Sequence, residues 1–284
     1  MNIYGECENQ FSEVKELFNE LHSTDREIGS SFAVYKNGKP IIDIWGGYSD
    51  KDRQNKWEKD TLATVWSTTK GVAAITLAYA YEKGLFDYEE KVSKYWPEFG
   101  CNGKEDITVG MLLSHQAGIC GSNAESVEDY YDQKIMAEEL AQMTPIWEPG
   151  TASGYHSMTY GWLTSELIIR ITGKTLGNYF KDEIGDPNQI DFHIGLPESE
   201  EYRVAEMVPF PKETNESNNH PNDAQIASGR GPNLLKHQNS REWRAAEIPS
   251  ANGQGCASAI AKLYSLVVTD EEEIKILNNS TIET

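Results

Sequence analysis

The hydrophobic pattern of this 284-residue chain changes near residue 61, and that change constrains the fold more than any other feature. Before it, two strand-like apolar runs, Ser31 to Tyr35 and Ile41 to Trp45, flank the dipeptide Asn37-Gly38. Asn-Gly between such runs is a strong signal for a β-hairpin. From residue 61 to about residue 185, apolar residues recur at helical spacing instead. Because a two-stranded hairpin is marginal in water, we expect an α+β fold in which helices cover the hairpin or further strands extend it.

Apolar spacing and helix-ending residues predict the individual helices. An amphipathic N-terminal helix contains Phe11 to Leu21, a long helix follows Ser67 and ends at Gly84, and an apolar helix runs from Tyr160 to Ile171. Shorter helices are predicted from Thr108 to Ser114, between Val127 and Leu140, and from Ile260 to Val267. Residues 209 to 241 are poor in large apolar residues and rich in Asn, Pro, Gly and Ser, which predicts a long surface loop.

One domain accounts for this pattern. Residues 1–60 would hold the N-terminal helix and hairpin, 61–200 a helical region with the site, 201–250 a polar loop, and 251–284 a helix and tail. Hydrophobic residues make up 38% of the chain, which is enough to bury a sizeable core. None of these features indicates an oligomeric state.

The formal charge of −20, from 45 acidic and 25 basic residues, limits the partners we expect. A field of this sign repels nucleic acid and anionic membranes. The N-terminus shows no secretory signal, and no stretch is long and apolar enough to span a bilayer. We therefore predict a cytoplasmic protein with free thiols at its four scattered cysteines. The six histidines lack paired ligand spacing, so we expect no metal, and no other cofactor is indicated.

The tetrapeptide Ser67-Thr68-Thr69-Lys70 opens the long helix pattern and suggests chemistry. Residues three apart lie on one face of a helix, so the Ser67 hydroxyl and the Lys70 amine are within reach of each other. A serine hydroxyl is a weak nucleophile until a base accepts its proton. Lys70 can be that base only when neutral, and lowering its pKa from about 10.4 to near 7 costs roughly 4 to 5 kcal/mol. Burial beside Trp66 would have to supply most of that shift.

The alternative interpretation is structural: Ser67 caps the helix and Lys70 lies on the surface. On these letters alone, which recur often by chance, the structural interpretation would be favoured. The surrounding sequence reverses that preference, because four further blocks of residues accompany the motif in order.

The five blocks together span most of the chain: Val65 to Ala74, Ile107 to Ile119, Trp147 to Gly150 with Tyr155 and Tyr160-Gly161, Trp243 to Pro249, and Ala251 to Gly255. They resemble serine β-lactamase-like proteins, and most of all the class C β-lactamase-related hydrolases that include the family VIII esterases. The resemblance implies a serine β-lactamase-like (DD-peptidase-like) fold, with a helical region and an antiparallel sheet.

The resemblance also implies roles for particular residues. Ser67 would form the acyl-enzyme, Lys70 would take its proton, and Tyr155 would pass a proton to the leaving group and help to activate water. The partner would be a small-molecule acyl substrate. His115 would be structural.

Three neighbouring residues would line the substrate pocket, namely Trp66, His156 and Ser157. The lactamase branch often has an asparagine two positions after the tyrosine, where this chain has Ser157. This difference favours ester or other acyl chemistry over efficient lactam hydrolysis. The natural substrate stays open.

The third signature of the resembling family, a Lys-Thr-Gly or His-x-Gly triplet on a late strand, is not found. Gly173-Lys174-Thr175 follows a helix end, and we expect His193-Ile194-Gly195 in a loop, so neither triplet supplies that strand. We therefore expect a chain truncated at its C-terminus, with an incomplete sheet. Such a chain would be poorly active, because losing one oxyanion donor costs roughly 10²- to 10³-fold in rate.

Three functions follow from these observations. Intact Ser67, Lys70 and Tyr155 favour a serine hydrolase. The missing third signature favours a non-catalytic member of the same fold that acts as a scaffold or regulator. A third alternative, an unrelated helical binding protein with a chance motif, is disfavoured by the five ordered blocks.

Overall fold

The computed structural model describes residues 2–24, 26–209 and 222–284. Its larger sheet has three antiparallel strands in the order β1-β3-β2: Ile3–Cys7 (β1), Gly29–Lys36 (β2) and Lys39–Gly47 (β3). The predicted hairpin is confirmed, and both turn residues are left-handed, with φ of 51° at Asn37 and 68° at Gly38, as a type I′ turn requires. The sequence pattern missed β1, because its three central residues are exposed and show no apolar alternation.

Helices form most of the rest of the described chain. They are α1 (Ser12–Ser23), α2 (Thr68–Glu82), α3 (Val92–Tyr95), α4 (Val109–Leu113), α5 (Val127–Tyr131), α6 (Gln133–Gln142), α7 (Thr159–Thr172), α8 (Leu176–Phe180), α9 (Asp186–Asn188), α10 (Asp223–Ser228), α11 (Arg241–Ala245), α12 (Ala257–Val268) and α13 (Asn279–Glu283). The predicted α+β class and the long helices predicted after Ser67 and from Tyr160 to Ile171 are confirmed. Within the described ranges, each helix is too short or too polar to cross a lipid bilayer.

The stretch predicted as helical between Val127 and Leu140 is two helices, because Asp132 interrupts it. The Asp132 carboxylate accepts hydrogen bonds from the Lys134 and Ile135 backbone N–H groups at 2.9 and 3.1 Å. It therefore caps α6 while ending α5.

A second, smaller sheet brings together three distant parts of the chain. It has the order β4-β6-β5, with two-residue strands at Ala63–Thr64 (β4), Phe192–His193 (β5) and Gln254–Gly255 (β6). Each pairing is antiparallel. Strands this short carry no detectable period in sequence. The sheet leads directly into the start of α2, and this connection positions the Ser67 turn.

Both arrangements expected from the apolar residues of the hairpin occur, because β1 extends it and helices cover it. Helix α12 packs across β2 and β3, where the Tyr35 and Ser258 hydroxyls lie 2.7 Å apart. On the other side, Phe18 of α1 forms a small apolar cluster with Ile42 and Ile44. The main core lies among the helices, where α7 buries an unbroken run from Thr159 to Ile168.

The prediction of one long loop over residues 209 to 241 is wrong for its described part. Helix α10 forms there, and a 3₁₀ turn follows at Leu234–Lys236. The Asn222 side chain accepts from the Gln225 N–H while the Gln225 side chain accepts from the Asn222 N–H, so a capping box starts α10. Residues 210 to 221 lie outside the described part of the chain.

Candidate active site

Ser67 lies in a tight turn between β4 and α2. Trp66, just before it, has φ = 47°, in the left-handed region that few residues other than glycine adopt. The Trp66 indole packs against Trp243, with ring centroids 5.5 Å apart. Backbone strain held in place by surrounding contacts is concentrated at functional sites.

The turn is also tied to the strand β6 region. The Val65 N–H donates to the Gly253 carbonyl at 3.0 Å, and the Gly253 N–H donates to the Thr69 hydroxyl at 3.0 Å. The Thr69 hydroxyl in turn donates to the Trp66 carbonyl at 2.6 Å. The first turn of α2 therefore cannot move independently of the small sheet.

The Ser67 hydroxyl does not cap α2, so the structural interpretation of this residue is wrong. Ser67 occupies the N-cap position, yet its side chain makes no capping hydrogen bond. The Lys70 N–H donates instead to the Ser67 carbonyl at 3.1 Å. The exposed Ser67 hydroxyl is therefore available for hydrogen bonds with other side chains.

Lys70 lies beneath Ser67 and is only 8% exposed. Its Nζ is 2.7 Å from the Ser157 carbonyl oxygen, 2.8 Å from the Ser250 carbonyl oxygen and 3.4 Å from Ser67 Oγ. Burial lowers its pKa to about 8. Across the described ranges no carboxylate lies within ion-pair distance of Lys70, so nothing there offsets the effect of burial on its charge.

The geometry around Nζ suits a neutral amine. A neutral lysine has two N–H bonds and one lone pair, whereas the ammonium form has three donors. The two short contacts to the Ser157 and Ser250 carbonyls take both N–H bonds. The remaining direction, toward Ser67 Oγ, is left for the lone pair, which can accept the Ser67 proton.

Tyr155 completes the cluster from the opposite side. Its hydroxyl donates to Ser67 Oγ at 2.8 Å, and the Lys70 Nζ lies 4.8 Å from the centre of its ring. The side chain is 50% exposed, so the phenol separates the buried amine from solvent. The three residues singled out from the sequence therefore meet in one place.

The suggestion that His156 lines the substrate pocket is wrong. Its side chain is 0% exposed, Nε2 accepts from the Ile119 N–H at 3.1 Å, and Nδ1 lies 2.7 Å from the Gly154 carbonyl oxygen. The Nδ1 proton is therefore donated to Gly154. Burial lowers its pKa to about 4, so the ring is neutral and serves to hold the Tyr155 loop.

His115 is structural, as expected. Its Nδ1 accepts from the His156 N–H at 3.2 Å, and its carbonyl accepts from the Gly154 N–H at 3.1 Å. Burial, and then the nearby Lys70 charge, lower the pKa of its ring. Neither histidine is placed to act as the base for Ser67.

The other two predicted pocket residues differ in how they contribute. Ser157 acts through its backbone carbonyl, which holds Lys70. Trp66 is partly exposed beside Ser67. Sequence reasoning missed Ser250, whose carbonyl also holds Lys70 and whose hydroxyl donates to the Met158 carbonyl at 2.8 Å. A backbone carbonyl contact does not depend on residue type, so the sequence held no direct signal for it.

The two triplets that do not supply the third signature, Gly173-Lys174-Thr175 and His193-Ile194-Gly195, lie apart from this cluster. Lys174 is an exposed residue that pairs with Asp182 at 2.9 Å. His193 lies on β5, so its predicted place in a loop is wrong, and its Nε2 is 3.1 Å from the Asp191 carboxylate. In the described part of the chain no group of three or more His, Cys, Asp or Glu side chains is arranged to hold a metal ion.

Comparisons with known proteins show which family the chain belongs to. The chain matches the Beta-lactamase family over residues 14–282. It is 33% identical over 290 residues to the esterase/β-lactamase LipL of Mycobacterium tuberculosis, covering 95% of this chain and 65% of that protein. It is 27% identical over 172 residues to a β-lactamase of Yersinia enterocolitica, covering 60% of this chain and 43% of that protein. The chain spans less than two thirds of either relative.

Solved structures resemble the whole chain. A family VIII carboxylesterase superposes with a TM-score of 0.89 at 38% identity, covering 100% of this chain and 76% of that one. A penicillin-binding protein homologue from Caulobacter crescentus gives 0.88 at 34% identity, with the same coverage of 100% and 76%. These likenesses confirm the predicted serine β-lactamase-like fold.

Proposed function

The chain belongs to the Beta-lactamase family, and on that premise we propose that it is a serine hydrolase that works through an acyl-enzyme on esters or related acyl substrates. One observation carries the proposal: Ser67 Oγ lies 2.8 Å from the Tyr155 hydroxyl and 3.4 Å from the Lys70 amine. A nucleophile, its base and a second proton carrier are thus within reach of one another, as acyl transfer by serine requires.

In the acylation step, the neutral Lys70 amine accepts the Ser67 proton as Ser67 Oγ attacks the substrate carbonyl carbon. A C–O bond forms, the carbonyl π electrons move to the substrate oxygen, and Lys70 becomes an ammonium ion. With a pKa of about 8, roughly a tenth of the Lys70 amines are neutral at pH 7.

Tyr155 carries the second proton. As the oxyanion collapses and the bond to the leaving alcohol breaks, the Tyr155 hydroxyl donates its proton to that alcohol. The Lys70 ammonium, 4.8 Å from the ring centre, stabilises the phenolate. In deacylation the phenolate accepts a proton from the attacking water, and Ser67 recovers its proton from Lys70, so every group returns to its starting state.

The oxyanion requires hydrogen-bond donors. In the described part of the chain the Ser67 N–H has no acceptor, so it is available to donate to a substrate oxyanion at the positive end of α2. Removing one such donor typically costs about 10²- to 10³-fold in rate. This N–H supplies one donor of the two that acyl-transfer sites commonly use.

Esters are the substrate class that we favour. At position 157 this chain has a serine, and a serine side chain lacks the amide donor and carbonyl acceptor that an asparagine carries. The names of two similar proteins, esterase/β-lactamase LipL and family VIII carboxylesterase, support the same choice.

Hydrolysis of p-nitrophenyl acetate and butyrate by purified protein tests the proposal. We expect Ser67→Ala to reduce hydrolysis to background, and Lys70→Met and Tyr155→Phe each to lower kcat by about 10²- to 10⁴-fold. Ser199→Ala, at an exposed serine outside the cluster, is the matched control and should behave as wild type.

Two results would overturn the hydrolase assignment. One is a Ser67→Ala variant that hydrolyses the esters as fast as wild type. The other is a folded wild-type protein with no more activity than Ser67→Ala, which would favour the scaffold alternative.

A further inference from the structure

Helix α10 packs directly against the two loops that hold the site. A methyl group added at Gly121 would lie 2.6 Å from the Ala227 carbonyl oxygen, and one added at Gly154 would lie 3.0 Å from the Ala224 Cβ. Contacts this close leave no room for a side chain on the loop side. The helix and both loops therefore form one packed unit.

Ser228, the last residue of α10, adds a polar connection to the same loops. Its hydroxyl oxygen is 3.1 Å from the Tyr155 carbonyl oxygen and 3.0 Å from the Cys120 carbonyl oxygen. A hydroxyl has one hydrogen to donate, so that hydrogen is shared between the two carbonyls. The Ser157 N–H donates to the same Tyr155 carbonyl at 3.0 Å.

We propose that Ser228 is a positioning residue for the Tyr155 phenol. Through Ser228, the position of α10 determines where this phenol lies in the site. The catalytic part of this inference rests on the proposed function, because the placement of Tyr155 affects the rate only if its phenol carries a proton. Ser228 contacts the backbones of Tyr155 and Cys120, and of these two residues only Tyr155 belongs to the reacting cluster, so its effect on the reaction passes through Tyr155.

Tyr155 needs such support because its own side chain is weakly held. The phenol is half exposed, its ring lies 5.2 Å from the His115 ring, and among the described residues its hydroxyl bonds to Ser67 Oγ alone. Its placement therefore depends strongly on its backbone, which Ser228 holds on one side and the His156 network holds on the other. A displacement of about 1 Å at a reacting group can cost about 10²-fold in rate.

Kinetics of three variants provide the first test. We expect Ser228→Ala to lower kcat for p-nitrophenyl butyrate by about 10- to 100-fold, while KM changes little, because the ester itself does not touch Ser228. Ser228→Thr keeps the hydroxyl and should restore most of the rate. Ile226→Ala, at an exposed residue on the same helix, is the matched control and should leave kcat unchanged.

Hydrogen–deuterium exchange provides a second test that needs no activity. Ser228→Ala should speed amide exchange in peptides covering residues 116–124 and 150–158, and Ile226→Ala should not. Gly121→Ala, which pushes α10 away from the loop, should reproduce the Ser228→Ala pattern. A wild-type protein that hydrolyses no ester would contradict the proposed function and not the positioning role. Unchanged kcat and unchanged exchange in Ser228→Ala would overturn the inference itself.

Discussion

In the proposed reaction, the Lys70 amine owes its role as a base to its surroundings and not to its residue type alone. Two backbone carbonyls, from Ser157 and Ser250, take its hydrogen-bond donors without contributing a negative charge. A carboxylate in the same place would favour the ammonium ion and raise the pKa. The carbonyl partners orient the amine without adding a negative charge. The pKa of Lys70 therefore stays lowered by burial.

The lowered pKa of Lys70 predicts a pH profile. Only the neutral amine can accept the Ser67 proton, and the amine is protonated below its pKa of about 8. We therefore expect kcat/KM for a neutral ester to rise about tenfold per pH unit below that value and to level off above it. Initial rates measured from pH 6 to pH 10 check this. A flat profile across pH 7 to 9 would show that Lys70 does not act as the base.

His156 predicts an acid-dependent loss of stability. Burial lowers its pKa from 6.5 to about 4, so between these values the unfolded chain binds the proton more readily than the folded chain. The stabilisation from the neutral ring is complete above pH 6.5 and is lost as the pH falls toward 4, about 3 kcal/mol in total.

Urea unfolding at pH 4.5 and pH 7 measures that loss. His156→Gln removes the titration, so the fall in unfolding free energy between the two pH values should be smaller in the variant than in wild type. His237→Gln, at a partly exposed histidine, is the control. An equal fall in His156→Gln and wild type would show that His156 is already charged in the folded protein.

At the scale of elements, short strands and turns position the site more than the long helices do. The β4-β6-β5 sheet connects the start of α2 to residues 190 positions away, where the Gln254 side-chain amide donates to the Thr64 hydroxyl at 2.9 Å. The β2–β3 turn is similarly fixed, since the Gly38 N–H donates to the Ser265 hydroxyl at 2.8 Å. Local geometry at such turns should therefore affect the stability of the whole molecule.

A pair of glycine variants separates backbone strain from crowding. Gly38 and Gly84 have similar φ values, 68° and 71°, but a methyl group at Gly38 would lie 3.0 Å from Leu266 Cδ2, whereas nothing lies within 4 Å at Gly84. Gly84→Ala should cost about 1 to 2 kcal/mol from conformation alone. Gly38→Ala should cost about 1 to 3 kcal/mol more from overpacking. Urea unfolding gives both values, and equal losses would mean that α12 moves aside without cost.

At the scale of the whole molecule, the charge of −20 acts on any substrate that approaches. A negative field lowers the local concentration of anions and their association rate. We expect kcat/KM for an aryl monoester of succinate to be about tenfold below that for the matching neutral butyrate at low salt. The gap should narrow as salt screens the field. Equal values at low and high salt would show that the site is shielded from the net charge.

The sequence predicted those parts of the fold that have a local signal. Asn37-Gly38 marked the hairpin, and the spacing of Val72 and Ile75 marked α2, because both signals are set by neighbours along the chain. The two-residue strands were missed, since pairing between residues such as Ala63 and Gly255 depends on tertiary structure. Helix α10 was missed because its buried face consists of small residues rather than large apolar ones.

The site residues, too, could be predicted only where the sequence carries a local signal or a resemblance. Ser67 and Lys70 could be paired from their spacing of three, and Tyr155 from the resemblance of its block. The carbonyls of Ser157 and Ser250 could not be anticipated, because any residue type carries the same carbonyl. His156 was misplaced because its sequence position beside Tyr155 says nothing about the direction of its side chain.

The most direct test of the account is the mass of the protein caught during turnover. Wild-type protein mixed with p-nitrophenyl butyrate and quenched in acid should gain the mass of one butyryl group, and the added mass should map to the peptide that contains Ser67. Ser67→Ala should gain nothing. A butyryl group found on any other residue, or equal labelling of the Ser67→Ala variant, would contradict the claim that Ser67 is the nucleophile.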